Sequence, residues 1–340
     1  MATTADRLSA EATRMLSAAA VFGSQFALDD VGEILCEQPG SLLRPLQELM
    51  AEGLVTADGA TFGFRDRATH AAMYERTPEP VRLALHRQIG TRLLGRGGPV
   101  APAARHLALA ARPGDARVLA VLDRATQEVL ESSPHVAVDF AARALELTAR
   151  DGDDRFGRGI TAVETLVAAD RRDDAVTLAR SLIEEGPPVP LSFDLHLKLA
   201  SILVLSGDAP AAVDEVDAVV REPGLPTAFY AAAESSRLLA LLAAGDFAQA
   251  RHSSEAILAG EYTDRGDAAL ANALTDLSMN AWDAGHSADA LSLMRGAAGR
   301  VDTDACPGQR AFVRLQLGRM RMMTGDGAGA DALPSDDERA

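Results

Sequence analysis

LSGDAPAAVDEV (residues 205–216), AAGDFAQARHSS (243–254) and DAGHSADALSLM (283–294) share one frame: a glycine, a polar residue, and an alanine five places after the glycine. The same frame, with the glycine sometimes replaced, runs from Ser132 to Ala137, Asp170 to Ala175 and Gly325 to Ala330. The six alanines are 38, 37, 38, 40 and 40 residues apart. Self-similarity at such a period signals a solenoid of stacked helix pairs. Each piece of the frame has a job. The glycine supplies the left-handed backbone that turns one helix into the next, and the alanine lets two helices approach closely. The second helices continue with apolar residues at ladder positions, Val216 and Val219 in one repeat, Ile257 and Leu258 in the next.

Composition agrees. The 340 residues are 47% hydrophobic and 24% charged, which predicts a folded chain, and aromatics are only 4%. Alanine and leucine dominate, and both lose little entropy in a helix. The net charge of −16 is uneven: residues 1–106 carry 11 Arg and 12 Asp/Glu, so almost all of the excess lies beyond them. An acidic repeat region repels phosphate backbones and argues against nucleic-acid partners. Two isolated cysteines, Cys36 and Cys306, make neither a disulfide framework nor a metal cluster, and read as reduced thiols of a cytoplasmic protein. No apolar leader or membrane span is expected.

The first hundred residues differ in kind. LSAEATRMLSAAA (8–20) places Leu8, Met15, Leu16 and Ala19 on one helical face. LDDVGEILCE (28–37) predicts a short second helix, and SLLRPLQELMAEG (41–53) a third, capped by Ser41 and closed by Gly53. Pro45 would then lie near the start of that helix, where its missing N–H matters least. LVTA and TFGFR flank Asp58-Gly59, the signature of a two-stranded hairpin. Three helices and a hairpin read as a winged helix. A DNA-reading third helix should be basic, but Arg44 and Gln47 here sit beside Glu48 and Glu52.

Phe64-Arg65-Asp66-Arg67 with Tyr74, Leu85-His86 and His106-Leu107 then follow in order. Together with AAAVFG (18–23) and LLRPLQELMAEGLV (42–55), they resemble the winged-helix and linker segment of the LuxR-type large ATPase regulators, the MalT-like branch of the STAND NTPases common in actinobacteria. The repeats resemble lengthened tetratricopeptide repeats as in that family, closely in turn and second helix, weakly in the first helix. The resemblance implies an all-α protein: a winged-helix-like domain over 1–76, a helical linker over 77–114, about six repeats of a right-handed solenoid over 115–333, and an acidic tail over 334–340.

Two departures bear on function. The family usually has histidine at the position of Asp66, and a winged-helix histidine of related ATPases approaches nucleotide phosphate. A carboxylate there repels phosphate, unless Asp66 is simply a helix cap. The later arginine of the motif is replaced by His70. The sole lysine, Lys198, follows no glycine-rich loop, so no Walker A motif is present. The reading is an adaptor with neither the ATPase motor nor the DNA-binding helix-turn-helix of the family.

In a tetratricopeptide solenoid the first helix of each pair lines the concave groove. Counting back from each turn places Asp194, Leu197, Ser201, Ala232, Ser235, Leu239, Asn272, Thr275, Met279, Trp282, Phe312, Leu315 and Arg319 there. Trp282 and Met279 have two readings, ligand anchors or packing between repeats. No metal-ligand spacing and no nucleophile elbow occur, and no cofactor is expected. The sequence therefore predicts a stand-alone, non-ATPase binding or regulatory module that holds a peptide, protein or small effector in the repeat groove, with self-association into a homo-oligomer left open. The alternatives are an enzyme of specialised metabolism, of cyclase, isomerase or lyase type, using the groove as a pocket, or a fragment of a larger regulator.

Overall fold

Apolar residues at helical spacing become helices almost throughout the computed structural model, which describes residues 7–152, 154–221, 227–259, 267–301 and 307–325. The described chain is all-α apart from one small sheet, and it divides into two units, one ending at Ala169 and one beginning at Asp170.

The first unit opens with α1 (Ala10–Phe22), β1 (Gln25–Phe26), α2 (Leu28–Leu35), α3 (Pro39–Ala51), β2 (Val55–Asp58) and β3 (Thr61–Phe64). Ser9 caps α1 by accepting from the Ala12 N–H at 3.1 Å. The Asp58-Gly59 turn forms with Gly59 at φ +60°, and β2 pairs antiparallel with β3. A strand not foreseen, β1, pairs with the other side of β3 and completes a three-stranded sheet of order β1-β3-β2. The expected cap of the third helix is corrected. Helix α3 begins at Pro39, with Gln38 as its cap residue, so Ser41 lies inside its first turn and gives its hydroxyl to the Gln38 carbonyl at 2.7 Å. Proline at the first helical position needs no N–H partner, which moves the start three residues earlier. Pro45 is consequently an interior, buried residue. The core of this part is Met15, Leu16, Phe26, Val31, Leu42, Leu49 and Val55 with their alanine neighbours on α1.

Helix α4 (Arg67–Arg76) starts on Asp66, whose carboxylate accepts from the Thr69 N–H at 2.6 Å and from Arg65 Nε at 3.0 Å. These donors hold the Asp66 carboxyl down at about 2. The cap reading of Asp66 is the one the geometry bears out. Then come α5 (Glu79–Arg96), α6 (Ala101–Ala110), α7 (Ala116–Val129), α8 (Pro134–Leu147) and α9 (Arg155–Ala168). Neighbours pack in sequence order, α5 on α6, α6 on α7, α7 on α8 and α8 on α9.

The second unit holds α10 (Arg172–Glu184), α11 (Val189–Leu205), α12 (Ala209–Val220), α13 (Thr227–Ala244), α14 (Phe247–Ala259), α15 (Asp267–Asp283), α16 (Ser287–Ala298) and α17 (Pro307–Met323). The repeat frame works as its residues predict. Gly207, Gly245, Gly285 and Gly325 have φ between +76° and +84°, and Asp170 takes φ +57° where glycine is missing. After three of these glycines the next N–H reaches back to a carbonyl of the preceding helix: Asp208 to Leu203, Asp246 to Leu241 and His286 to Ala281. This is the Schellman arrangement, which satisfies carbonyls a helix end leaves open. Asp208 and Asp246 also cap the next helix through the N–H groups of Ala211 and Gln249. The frame alanines Ala137, Ala175, Ala212, Ala250 and Ala290 are all 0% exposed. Ala330, the acidic tail and Cys306 lie outside the described residues.

Candidate binding surface on the first helices of the repeats

Along the second unit the helices alternate, and α11 packs on α13 and α13 on α15, so the first helices of successive pairs are neighbours. Helix α17 joins α15 through Ser278, whose hydroxyl lies 3.7 Å from Met320 Sδ. Each first helix buries a stripe against its own partner and its neighbours, and on α13 and α17 another stripe stays open. On α13, Ala233, Leu238, Ala240 and Leu241 are buried, whereas Ala232 and Leu239 are exposed, Leu239 by 49%. On α17, Val313, Leu317 and Met320 are buried, whereas Phe312 and Leu315 are exposed by 48% and 68%.

The groove positions read from the repeats divide into three groups. Ala232, Leu239, Phe312, Leu315 and Arg319 are exposed, as is Ser201, whose hydroxyl is tied to the Leu197 carbonyl of its own helix at 2.9 Å. Asp194, Leu197 and Ser235 are half-buried, and Asp194 pairs along α11 with Lys198 at 3.7 Å. The α15 positions sit deepest. Asn272 and Thr275 are buried, Asn272 Nδ2 donates to Ser235 Oγ on α13 at 2.8 Å, and Thr275 donates to the Ala271 carbonyl at 2.7 Å. Met279 and Trp282 are half-buried and pack on the cluster of Leu291, Met294, Val301, Val313, Leu317 and Met320. Both therefore share in the packing between helices.

Two polar features of this unit had no motif to announce them. Arg237 on α13 donates to Asp217 on α12 at 2.7 Å, and to Ser253 and Gln249 on α14 at 2.8 and 3.2 Å. Its planar fork serves three acceptors on two helices at once, a task that suits arginine. Asp276 on α15 is 2% exposed and accepts from Ser254 Oγ at 2.8 Å and Asn280 Nδ2 at 3.1 Å. Burial pushes its carboxyl upward despite those donors. Neither residue belongs to a spacing pattern, because Arg237 takes all three partners, and Asp276 takes Ser254, from neighbouring helices.

Among the described residues no group of three or more His, Cys, Asp or Glu converges as a metal site, and no helix is long and apolar enough to cross a membrane. No protein-family model matches the sequence, and no curated protein matches it. Among solved structures the chain is similar to a Signal Transduction ATPase with Numerous Domains (STAND) protein with a tetratricopeptide repeat sensor from Pyrococcus horikoshii, at 13% identity and a TM-score of 0.43. That likeness is a coarse one between helical chains; it takes in 96% of this chain and 50% of the other, so this chain spans about half of that protein's length.

Proposed function

We propose that the exposed positions of α11, α13 and α17 mark a binding groove for a peptide or protein segment, and that the chain is a repeat-based interaction or sensor module. The observation that carries this reading is the exposure of Leu239, Phe312 and Leu315 on helices that bury Leu238, Leu241, Val313, Leu317 and Met320 along another stripe. Large apolar side chains left open on one face of an acidic protein mark an interaction surface. The turn and alanine frame of the second unit is that of tetratricopeptide repeats, in which this face is the concave one. The enzymatic alternative needs a tuned acid or base open to a cavity. The tuned carboxyl of this unit, Asp276, is buried and held by two donors, which favours binding over chemistry.

The first unit supports a winged-helix reading. Helix, strand, helix, helix, strand, strand is the winged-helix order, with the third strand in the place that β1 occupies. Its α3 is an unsuitable DNA reader. Glu48 holds Ser9 through two bonds of 2.6 Å, and the exposed Arg44 and Gln47 are offset by Glu52.

The test is a selection of random displayed peptides on the full chain, with counter-selection on a Leu239→Glu/Leu315→Glu variant. A selected peptide should shift the emission of Trp282, the sole tryptophan, and should lose affinity at least tenfold for the variant. Peptides that bind wild type and variant equally refute the groove.

A further inference from the structure

We infer that Tyr74, His86 and His106 form an acid-released latch that ties α4 to α5 and α6 in the first unit. Tyr74 Oη lies 2.9 Å from His86 Nε2, and His86 Nδ1 lies 2.9 Å from His106 Nδ1. The two imidazoles are 5.2 Å apart between ring centres, and His86 is only 3% exposed. Phe22 of α1 meets the His106 ring edge-on at 6.4 Å. The close approach is built in. A Cβ on Gly90, one turn after His86, would lie 2.6 Å from Leu107 Cγ, so only glycine lets α6 come this near. His70, on α4, anchors the other side by donating Nε2–H to the Ala20 carbonyl of α1 at 2.9 Å.

Proton counting shows why this contact is sensitive to acid. A neutral imidazole has one N–H donor and one bare acceptor nitrogen. The Nδ1–Nδ1 contact holds one hydrogen, given by either ring. With no added proton, His86 uses both of its nitrogens, one on His106 and one on Tyr74. One added proton leaves the contact intact, because an imidazolium can still donate to a neutral imidazole. A second puts N–H against N–H at 2.9 Å, and the contact fails. The latch is closed with two neutral rings and is forced open with two charged ones.

The surroundings resist charging. Burial first, then His106 and Arg82, push the His86 imidazole down to about 4. Burial and then Arg105 push His106 down as well. Arg82, on α5, lies 4.9 Å from the Tyr74 ring centre and donates to the Tyr74, Glu75 and Thr77 carbonyls. Four carboxylates of the neighbouring elements are engaged elsewhere. Asp30 and Glu33 of α2 hold Arg92 and Arg96, Glu128 of α7 accepts the Val100 N–H, and Glu146 of α8 takes Arg143. From α1 the neighbour is the uncharged Phe22, and α4 brings Tyr74 and His70. The charges acting on the pair are thus positive.

Both rings favour the proton more in an opened state than in the closed one. Opening is therefore suppressed above the ordinary histidine value near 6.5, and it gains as pH falls below that value. His86, held at about 4 in the closed state, multiplies the opening constant about tenfold between pH 7.5 and 5.5 if it charges on opening, and His106, also held down, changes it in the same direction. Hydrogen–deuterium exchange on the full chain, corrected for intrinsic rates, measures this on the α4, α5 and α6 amides. Wild type should show a rise of about tenfold or more, and a His86→Gln/His106→Gln variant should lose it. Equal pH profiles for the two chains overturn the latch. Should the variant not fold, histidine nitrogen-15 spectra of wild type decide. Both rings staying neutral until the helices open sustains the inference. Rings that charge near the ordinary value while the helices stay protected refute it.

Discussion

Replacing Trp282 by alanine and Leu239 by glutamate probes two sides of one surface, and the structure assigns them opposite outcomes. Trp282 is half-buried against Leu291, Met294, Val313, Leu317 and Met320. Removing a fully buried tryptophan costs about 3–5 kcal/mol, from lost transfer energy and the cavity left behind. Part of the Trp282 ring remains in water, so about 2–3 kcal/mol is the expected loss for Trp282→Ala. For a unit of this size each kcal/mol lowers the melting temperature by about 2–4 °C, which gives a drop of about 5–10 °C. Leu239 is 49% exposed on the open stripe of α13. Leu239→Glu should stay within about 0.5 kcal/mol of wild type, a shift of about 2 °C at most, while weakening a groove-selected peptide at least tenfold. Calorimetry gives the melting temperature and peptide anisotropy gives the affinity on the same samples. A Leu239→Glu chain that melts more than about 5 °C below wild type would show that this stripe is packing surface. A Trp282→Ala chain that melts like wild type but loses the peptide would show that Trp282 is an anchor and carries no share of the core.

Three further outcomes follow from particular contacts. Arg237→Ala removes donors to Asp217, Ser253 and Gln249 and should destabilise the second unit by about 1–3 kcal/mol in urea titration, with Arg237→Lys recovering little of it. Asp276→Asn should raise the melting temperature at neutral pH, because it removes a buried charge while an amide can still serve Ser254 and Asn280. The sign of the pH effect agrees: a carboxyl pushed up on folding favours the folded state as pH falls through its raised value, so wild type should gain on the Asp276→Asn variant in that window. A variant that is less stable than wild type at neutral pH counts against this account. Calorimetric titration with magnesium–ATP or magnesium–ADP, and gel shift with duplex DNA at about 0.15 M salt, should both show no binding. Micromolar affinity for a nucleotide, or a retarded band, would overturn the reading of Asp66 as a cap or of α3 as a non-reader.

What the sequence determined by itself is the local and periodic part of this molecule. A left-handed turn needs glycine or a residue such as Asp170, and a close helix crossing needs a side chain no larger than a methyl group. Those demands fall on single positions, so the turns and the five buried alanines could be read one residue at a time. The Asp58-Gly59 hairpin and the Asp66 cap were legible for the same reason. The open stripe was partly legible, since the period sets which residues share a helix face and Leu239, Phe312 and Leu315 are exposed where counting places them.

The tertiary structure decided whatever depends on two distant segments meeting. Two residues, Gln25 and Phe26, are too short a strand to show alternation, and only pairing with β3 makes them one. The depth of Trp282 and Met279 depends on how α17 closes over α15 and α16, which no spacing within one helix contains. The Arg237 fork and the Tyr74–His86–His106 contact are each assembled from three helices. Hydrogen bonds act over about 3 Å, so residues separated by a dozen or more positions meet only when packing has set the crossing of their helices, and that crossing is settled by small contacts such as Gly90 beneath Leu107.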